Sequence, residues 1–184
     1  MAALQRASVS QLQLAVIEAL PEGPSVLDAV PAAVLAAIRS SPRTSWLGAE
    51  NMMELLRACE RVGGVELSER AAFGVTTRTE DHPLFRPLVQ GALRLFGSGP
   101  VPLFKVLPRA WKISNRDSGV LEVETAPSDA KVHVHDLAPE LDCDEWKRSW
   151  RGTARGMLSL AKVQGDAIVT LEPGGFRVDV HWTG

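Results

Sequence analysis

Residues 118–136 read SGVLEVETAPSDAKVHVHD, two alternating runs around a turn. Leu121 and Val123 alternate with Glu122 and Glu124, and Val132 and Val134 alternate with His133 and His135. Successive strand side chains point to opposite faces, so each run predicts a strand with one apolar and one polar face. Pro127-Ser128-Asp129 supplies the hairpin connection. The pattern returns at the C-terminus. Residues 166–172 (DAIVTLE) pass through Pro173-Gly174-Gly175 into 176–182 (FRVDVHW). There Phe176, Val178, Val180 and Trp182 face one way, and Arg177, Asp179 and His181 face the other. Two antiparallel hairpins, each buried on one side, follow.

Between the hairpins the period changes. Trp146, Trp150, Ala154, Met157, Leu158 and Ala161 form the apolar stripe of a helix over about 144–162. Gly152 and Gly156 fall on one side of it and predict close packing against a sheet or another helix. Before Trp111, helical spacing dominates. A first helix capped by Ser8 or Ser10 carries Leu12, Leu14, Val16, Ile17 and Leu20. Leu27 to Ile38 is a second apolar segment, with Pro31 in its first turn or dividing it. Gly48 to Val62 is a third, closed by Gly63-Gly64, and a short helix follows from Leu67 to Phe73. Pro83 to Phe96 is a further helix with Gly91 inside it. Gly97, Gly99, Pro100 and Pro102 then predict a break, with Leu103 to Leu107 only a short apolar turn. The fold class is therefore α+β, N-terminal helices packed on a four-stranded antiparallel sheet with one helix between the two β-hairpins. Residues 1–184 read as a single domain. Residues 1–25 are an N-terminal helical extension, 26–110 are mainly helical, and 111–184 form the hairpin–helix–hairpin.

Composition bounds the function. The 184 residues are 45% hydrophobic and 23% charged, and 20 basic against 22 acidic side chains leave a net charge of −2. No field steers nucleic acid or an anionic membrane toward such a chain. No run approaches the roughly 20 apolar residues of a membrane span. Gln11, Gln13 and Glu18 interrupt the first apolar stretch, which argues against a secretory signal. The expectation is a soluble cytoplasmic protein. Two cysteines make no disulfide framework. There is no Gly-x-Ser-x-Gly elbow, Walker loop or Gly-x-Gly-x-x-Gly, so no motif supports an enzyme.

Three groups of side chains are candidates for function. Glu122, Glu124, His133, His135 and His181 share the polar face of the strands. Imidazole and carboxylate are normal zinc ligands. His-x-His alone is a weak signal, however, so the face reads first as a solvated surface with no metal assigned, next as a pH-responsive or partner-binding one, and last as a metal site. Trp111, Trp146, Trp150 and Trp182, with Gly91, form the second group, either a core, an oligomer interface or an apolar ligand pocket between sheet and helices. Arg148, Arg151 and Arg155 lie on one helix face, solvated or paired with a partner. Cys143 among Asp142, Asp144 and Glu145 should have a raised thiol pKa, and Cys59 belongs to a core stripe.

The stretch Arg94-Leu95-Phe96-Gly97, then Leu103-Phe104-Lys105-Val106-Leu107-Pro108-Arg109-Ala110-Trp111, resembles a family of myxobacterial paralogues of unknown function. So do Arg151-Gly152 through Gly156-Met157-Leu158 and the closing Phe176-Arg177-Val178-Asp179-Val180-His181-Trp182. That family is similar to a broader group comprising the heme–nitric oxide binding domain, the four-vinyl-reductase domain and the small subunits of the transport protein particle. The resemblance implies a helix layer on a four-stranded antiparallel sheet. Heme-binding members ligate iron with a histidine and hold the propionates with Tyr-x-Ser-x-Arg. This chain has no tyrosine, and His82 precedes Pro83, which disfavours helix. The expectation is no heme and no cofactor. What the resemblance leaves is a non-enzymatic sensor or protein-interaction domain, self-associating, or else a receptor for a small apolar ligand.

Overall fold

The computed structural model describes residues 2–96 and 99–183. Gly97 and Ser98 of the glycine-rich loop, and the side chains of Leu95 and Phe96, lie outside that description. The first half runs β1 (Leu4–Arg6), α1 (Ala7–Glu18), α2 (Gly23–Ala29), α3 (Ala32–Ser40), β2 (Trp46–Gly48), α4 (Glu50–Thr77) and α5 (Arg86–Phe96). The second runs α6 (Pro100–Ser114), β3 (Asn115–Arg116), β4 (Val120–Thr125), β5 (Asp129–His135), α7 (Asp144–Leu160), β6 (Gln164–Glu172) and β7 (Gly175–Thr183).

The α+β class and the two hairpins around a helix are as the alternation predicts. The hairpins join into one antiparallel sheet in the order β4-β5-β7-β6. Leu121 pairs with Val134, and Val132 with Val178. This register puts every inward apolar side chain on one layer, which α7 and α6 cover. The acids Asp144 and Glu145 sit in the first turn of α7, where the helix dipole favours them.

Three features differ from expectation. Residues 100–114 form one helix where a break and a short turn are predicted. Pro100 and Pro102 occupy its first turn, where the missing N–H had no partner to lose. Pro108 lies inside, and burial of Leu103, Phe104 and Trp111 outweighs its lost hydrogen bond. Next, Gly63 and Gly64 are both non-helical and close the first half of α4 as predicted, but the second half is longer than expected. Gly64 takes φ +67° and the helix resumes to Thr77, past the predicted Phe73. Finally, β1 is the centre of a second, three-stranded sheet, β2-β1-β3, that three-residue runs could not announce. Pro31 divides α2 from α3, as its ring requires.

Two ionic ties hold the layers. Lys147 on α7 is buried, donates to the Glu172 carbonyl at 2.9 Å and pairs with the Asp142 carboxylate. Arg151 pairs with Asp166 of β6 at 2.7 Å. Each partner holds its carboxyl below the usual range, the hydrogen bond from the cation being the main cause. A carboxyl lowered on folding stabilises above its unfolded value of about 3.9 and loses that contribution as pH falls through the folded value. The contribution of these two pairs to the urea midpoint is therefore expected to hold down to about pH 4 and to be lost below it, so the fall below pH 4 is less steep in Asp142→Asn. An unchanged slope in that variant would remove Asp142 from the acid transition.

Candidate functional site

The helix layer is organised around the crossing of α4 and α7. Gly152 of α7 lies directly on the backbone carbonyl of Glu69, and a Cβ on Gly156 would come within 2.7 Å of Thr76. The close packing predicted from the two glycines is thus packing on a helix. Arg148 reaches Glu60 of α4 at 2.9 Å, and Arg151 approaches Glu69 at 3.7 Å. Of the three arginines, these two are neither free nor waiting for another chain; they clamp α7 in place.

Beside this crossing the helices leave a cavity of about 210 Å³. Trp111 of α6 and Trp146 and Trp150 of α7 line it, as do Met52, Val89 and Leu103. The three indoles cluster, with centroids 5.9–6.1 Å apart. Trp146 and Trp150 also pack on Phe176 of β7, at 5.4 and 5.2 Å. Trp111 Nε1 donates to the Gly119 carbonyl at 3.1 Å, which anchors it to the start of β4. Three of the four predicted tryptophans therefore converge and wall a cavity, while Trp182 stacks on Phe104 instead.

The cavity's place differs from the one predicted. Its lining comes from α1, β1, α4, α5, α6, β3, α7 and the segment between α4 and α5, and none comes from the four-stranded sheet. Helix α7 lies between cavity and sheet because its broad apolar stripe faces both. Gly91 is not in the lining, and the space where its Cβ would stand is open within 4 Å. Gly91 therefore does not join the tryptophans at the cavity.

One end of the cavity is polar. Gln5 of β1 donates from Nε2 to Met52 Sδ at 2.9 Å and accepts from Ser10 Oγ at 2.8 Å. Gln13 of α1 also lines the cavity and is 6% exposed. Among the described residues no hydrogen bond engages its side-chain amide. Sequence reasoning missed both glutamines. The available signal was a polar interruption of a buried stripe: Ser10, Gln13, Leu14 and Ile17 share one face of α1.

The outer face of the sheet collects the second candidate group. Glu122 stands opposite His133 in the β4–β5 register, and His135 lies two residues along. His181 shares the face but pairs with Asp129 and Asp166, four residues along β5 from His133. That is about 13 Å away. Glu124 sits opposite Lys131. The thiols behave as expected: burial pushes Cys59 up to about 12, and burial, with help from Glu145, raises Cys143.

No protein-family model matches the chain, and no curated protein matches it either. Solved structures do. An Fe(II) unliganded H-NOX protein from K. algicida aligns over 97% of both chains at 10% identity and TM-score 0.67. An oxygen binding H-NOX domain related to soluble guanylate cyclases, in its oxygen complex, aligns over 97% of this chain and 95% of its own at 8% identity and TM-score 0.65. A structure concerned with modulating heme redox potential through porphyrin distortion aligns over 97% and 99% at 9% identity and TM-score 0.63. At such identity the likeness is one of fold.

The likeness overturns the exclusion of heme drawn from the missing tyrosine, since the fold is one that heme proteins use. The motif was also closer than that reading allowed: Lys112-Ile113-Ser114-Asn115-Arg116 keeps the serine and arginine spacing with lysine first. The side chains at the cavity nevertheless do not match a histidine-ligated group. Among the described lining residues only the thioethers of Met52 and Met157 are of a type that ligates heme iron. His82 is buried beside Phe85, but Nδ1 accepts from the Leu84 N–H at 3.3 Å, so Nε2 carries the proton toward the Ser8 carbonyl, also at 3.3 Å. Burial lowers its pKa and keeps it neutral. Ser114 donates to the Ala110 carbonyl at 2.7 Å. Arg116 lies over the Trp46 ring at 4.1 Å, and Arg6 over the same ring at 4.0 Å.

Proposed function

We propose that this chain is a ligand-sensing domain whose helical cavity takes a small, mainly apolar molecule carrying one hydrogen-bonding group. The observation that carries the reading is the apolar cavity walled by Trp111, Trp146 and Trp150, with Gln13 in its lining at the polar end. A hydrogen bond from the Gln13 amide to a ligand's polar atom would contribute about 0.5–1.5 kcal/mol. The fold likeness to an oxygen binding domain supports a sensing role. The volume is below the roughly 300–1,000 Å³ of drug-sized pockets, so the occupant is small. Native mass spectrometry on untreated protein is expected to show an adduct that denaturation removes. A Soret band in that protein would identify heme and overturn the small-ligand reading. With 1-octanol as a probe, calorimetry should give saturable binding that Gln13→Leu weakens about 2- to 12-fold, the worth of one hydrogen bond. Equal binding to both proteins would sink the assignment of Gln13.

A second reading is self-association through the free edge of β6. Ile168 on that edge strand is 66% exposed, and β6 has a strand neighbour on one side only among the described residues. An open strand edge is a template for a second copy. Light scattering above the 19.9 kDa monomer mass supports this reading, and a monomer at every concentration removes it. No helix among the described residues is long and apolar enough to cross a membrane.

A further inference from the structure

We propose that the outer face of the four-stranded sheet binds a divalent transition-metal ion, zinc by preference, through Glu122, His133 and His135. The site is independent of the helical cavity. One ligand atom from each of these three residues lies within 4.8 Å of the other two. The register explains the cluster. Glu122 and His133 are direct cross-strand neighbours, and His135 follows on the same face at the two-residue period. The imidazole rings face each other at 5.1 Å, and His135 Nε2 is 3.7 Å from Glu122 Oε2.

The surroundings are those of a metal site. His135 Nδ1 lies 2.9 Å from the Asp136 carboxylate. That bond holds the proton on Nδ1 and leaves the Nε2 lone pair turned toward Glu122, the outer partner that ligating histidines ordinarily have. Glu172, reaching over from β6, puts Oε2 3.3 Å from His133 Nε2, at the margin of the three-residue cluster. Two imidazoles and one carboxylate make an N₂O set that leaves one position for water, suited to four-coordinate zinc. Two cations share the face: Arg177, opposite His133, lies 3.0 Å from Asp179 and 3.9 Å from Glu172, and Lys131 stands opposite Asp179. Tetrahedral zinc with bonds of about 2.0–2.1 Å keeps its donors about 3.3 Å apart, so the half-exposed side chains close by about 1.5 Å.

The test uses the full chain, free of any tag, stripped with chelator and dialysed. Cobalt(II) is the spectroscopic probe and zinc the competitor. One equivalent of cobalt should bind with the visible absorption of a four-coordinate site, and one equivalent of zinc should displace it. His133→Ala and His135→Ala should each abolish the band. Asp136→Asn should weaken zinc about 10- to 100-fold, the usual cost of losing a ligand's outer partner. His181→Ala, on the same face beyond reach, should leave binding unchanged. The positions are exposed or half-exposed, so circular dichroism should show every variant folded. Failure of the wild-type chain to bind saturably overturns the proposal. So does binding that survives the His133→Ala/His135→Ala double variant, or that falls equally in His181→Ala.

Discussion

Gly152→Val is expected to destabilise the protein by at least about 3 kcal/mol, at the upper end of what overpacking costs. In a chain of this size that is a melting temperature lower by about 6–12 °C. A Cβ at this position meets the Glu69 carbonyl, its carbon and its Cα, all backbone, so no rotamer change relieves the contact. The helices must separate, and with them Arg148–Glu60 and the wall of the cavity. Gly91→Ala is the matched control. It adds a Cβ to α5 in open space and should stabilise by about 0.5–1 kcal/mol through helix propensity. Thermal denaturation of both variants is decisive. A Gly152 variant as stable as the parent would mean that α4 and α7 do not cross this closely.

The second large effect is Phe176→Ala, which should cost about 3–5 kcal/mol in urea denaturation. Phe176 has no exposed surface and is the ring on which both Trp146 and Trp150 rest. Its loss opens a hole behind the tryptophan wall, so tryptophan emission should shift to the red as well. Ile168→Ala, on the same sheet with its side chain largely in water, should stay within about 0.5 kcal/mol of the parent. A loss under about 1 kcal/mol for Phe176→Ala would show that the indoles do not depend on it.

The tryptophan cluster shows how far pattern carries and where it stops. Trp146 and Trp150 are four apart on a strong stripe, so their shared face was legible. That this stripe is broad enough to touch the sheet on one flank and a cavity on the other was not. Gly91 and Gly152 looked alike as glycines inside helices. One sits in open space and the other on a backbone carbonyl, and only the neighbouring element distinguishes them. Arg148 and Arg151 read as free cations because Glu60 and Asp166 lie 88 and 15 residues away. The missing tyrosine weighed too much, since a fold that holds heme elsewhere does not depend on one residue of a motif.

Alternation over 118–136 and 166–182 and the stripe over about 144–162 determined the hairpins, the helix between them and the α+β class without help from the rest of the chain. Those signals are local, because a face that is buried must be apolar at the period of its own backbone. The tertiary structure alone decided that 100–114 is a helix despite three prolines, that β1 joins β2 and β3, and that Gln5, Gln13, Met52 and Trp150 meet at one cavity. A periodic pattern records that a face is covered and leaves open which element covers it. Contacts between positions tens of residues apart are set by the packing of whole elements, where the summed burial outweighs any single residue's preference.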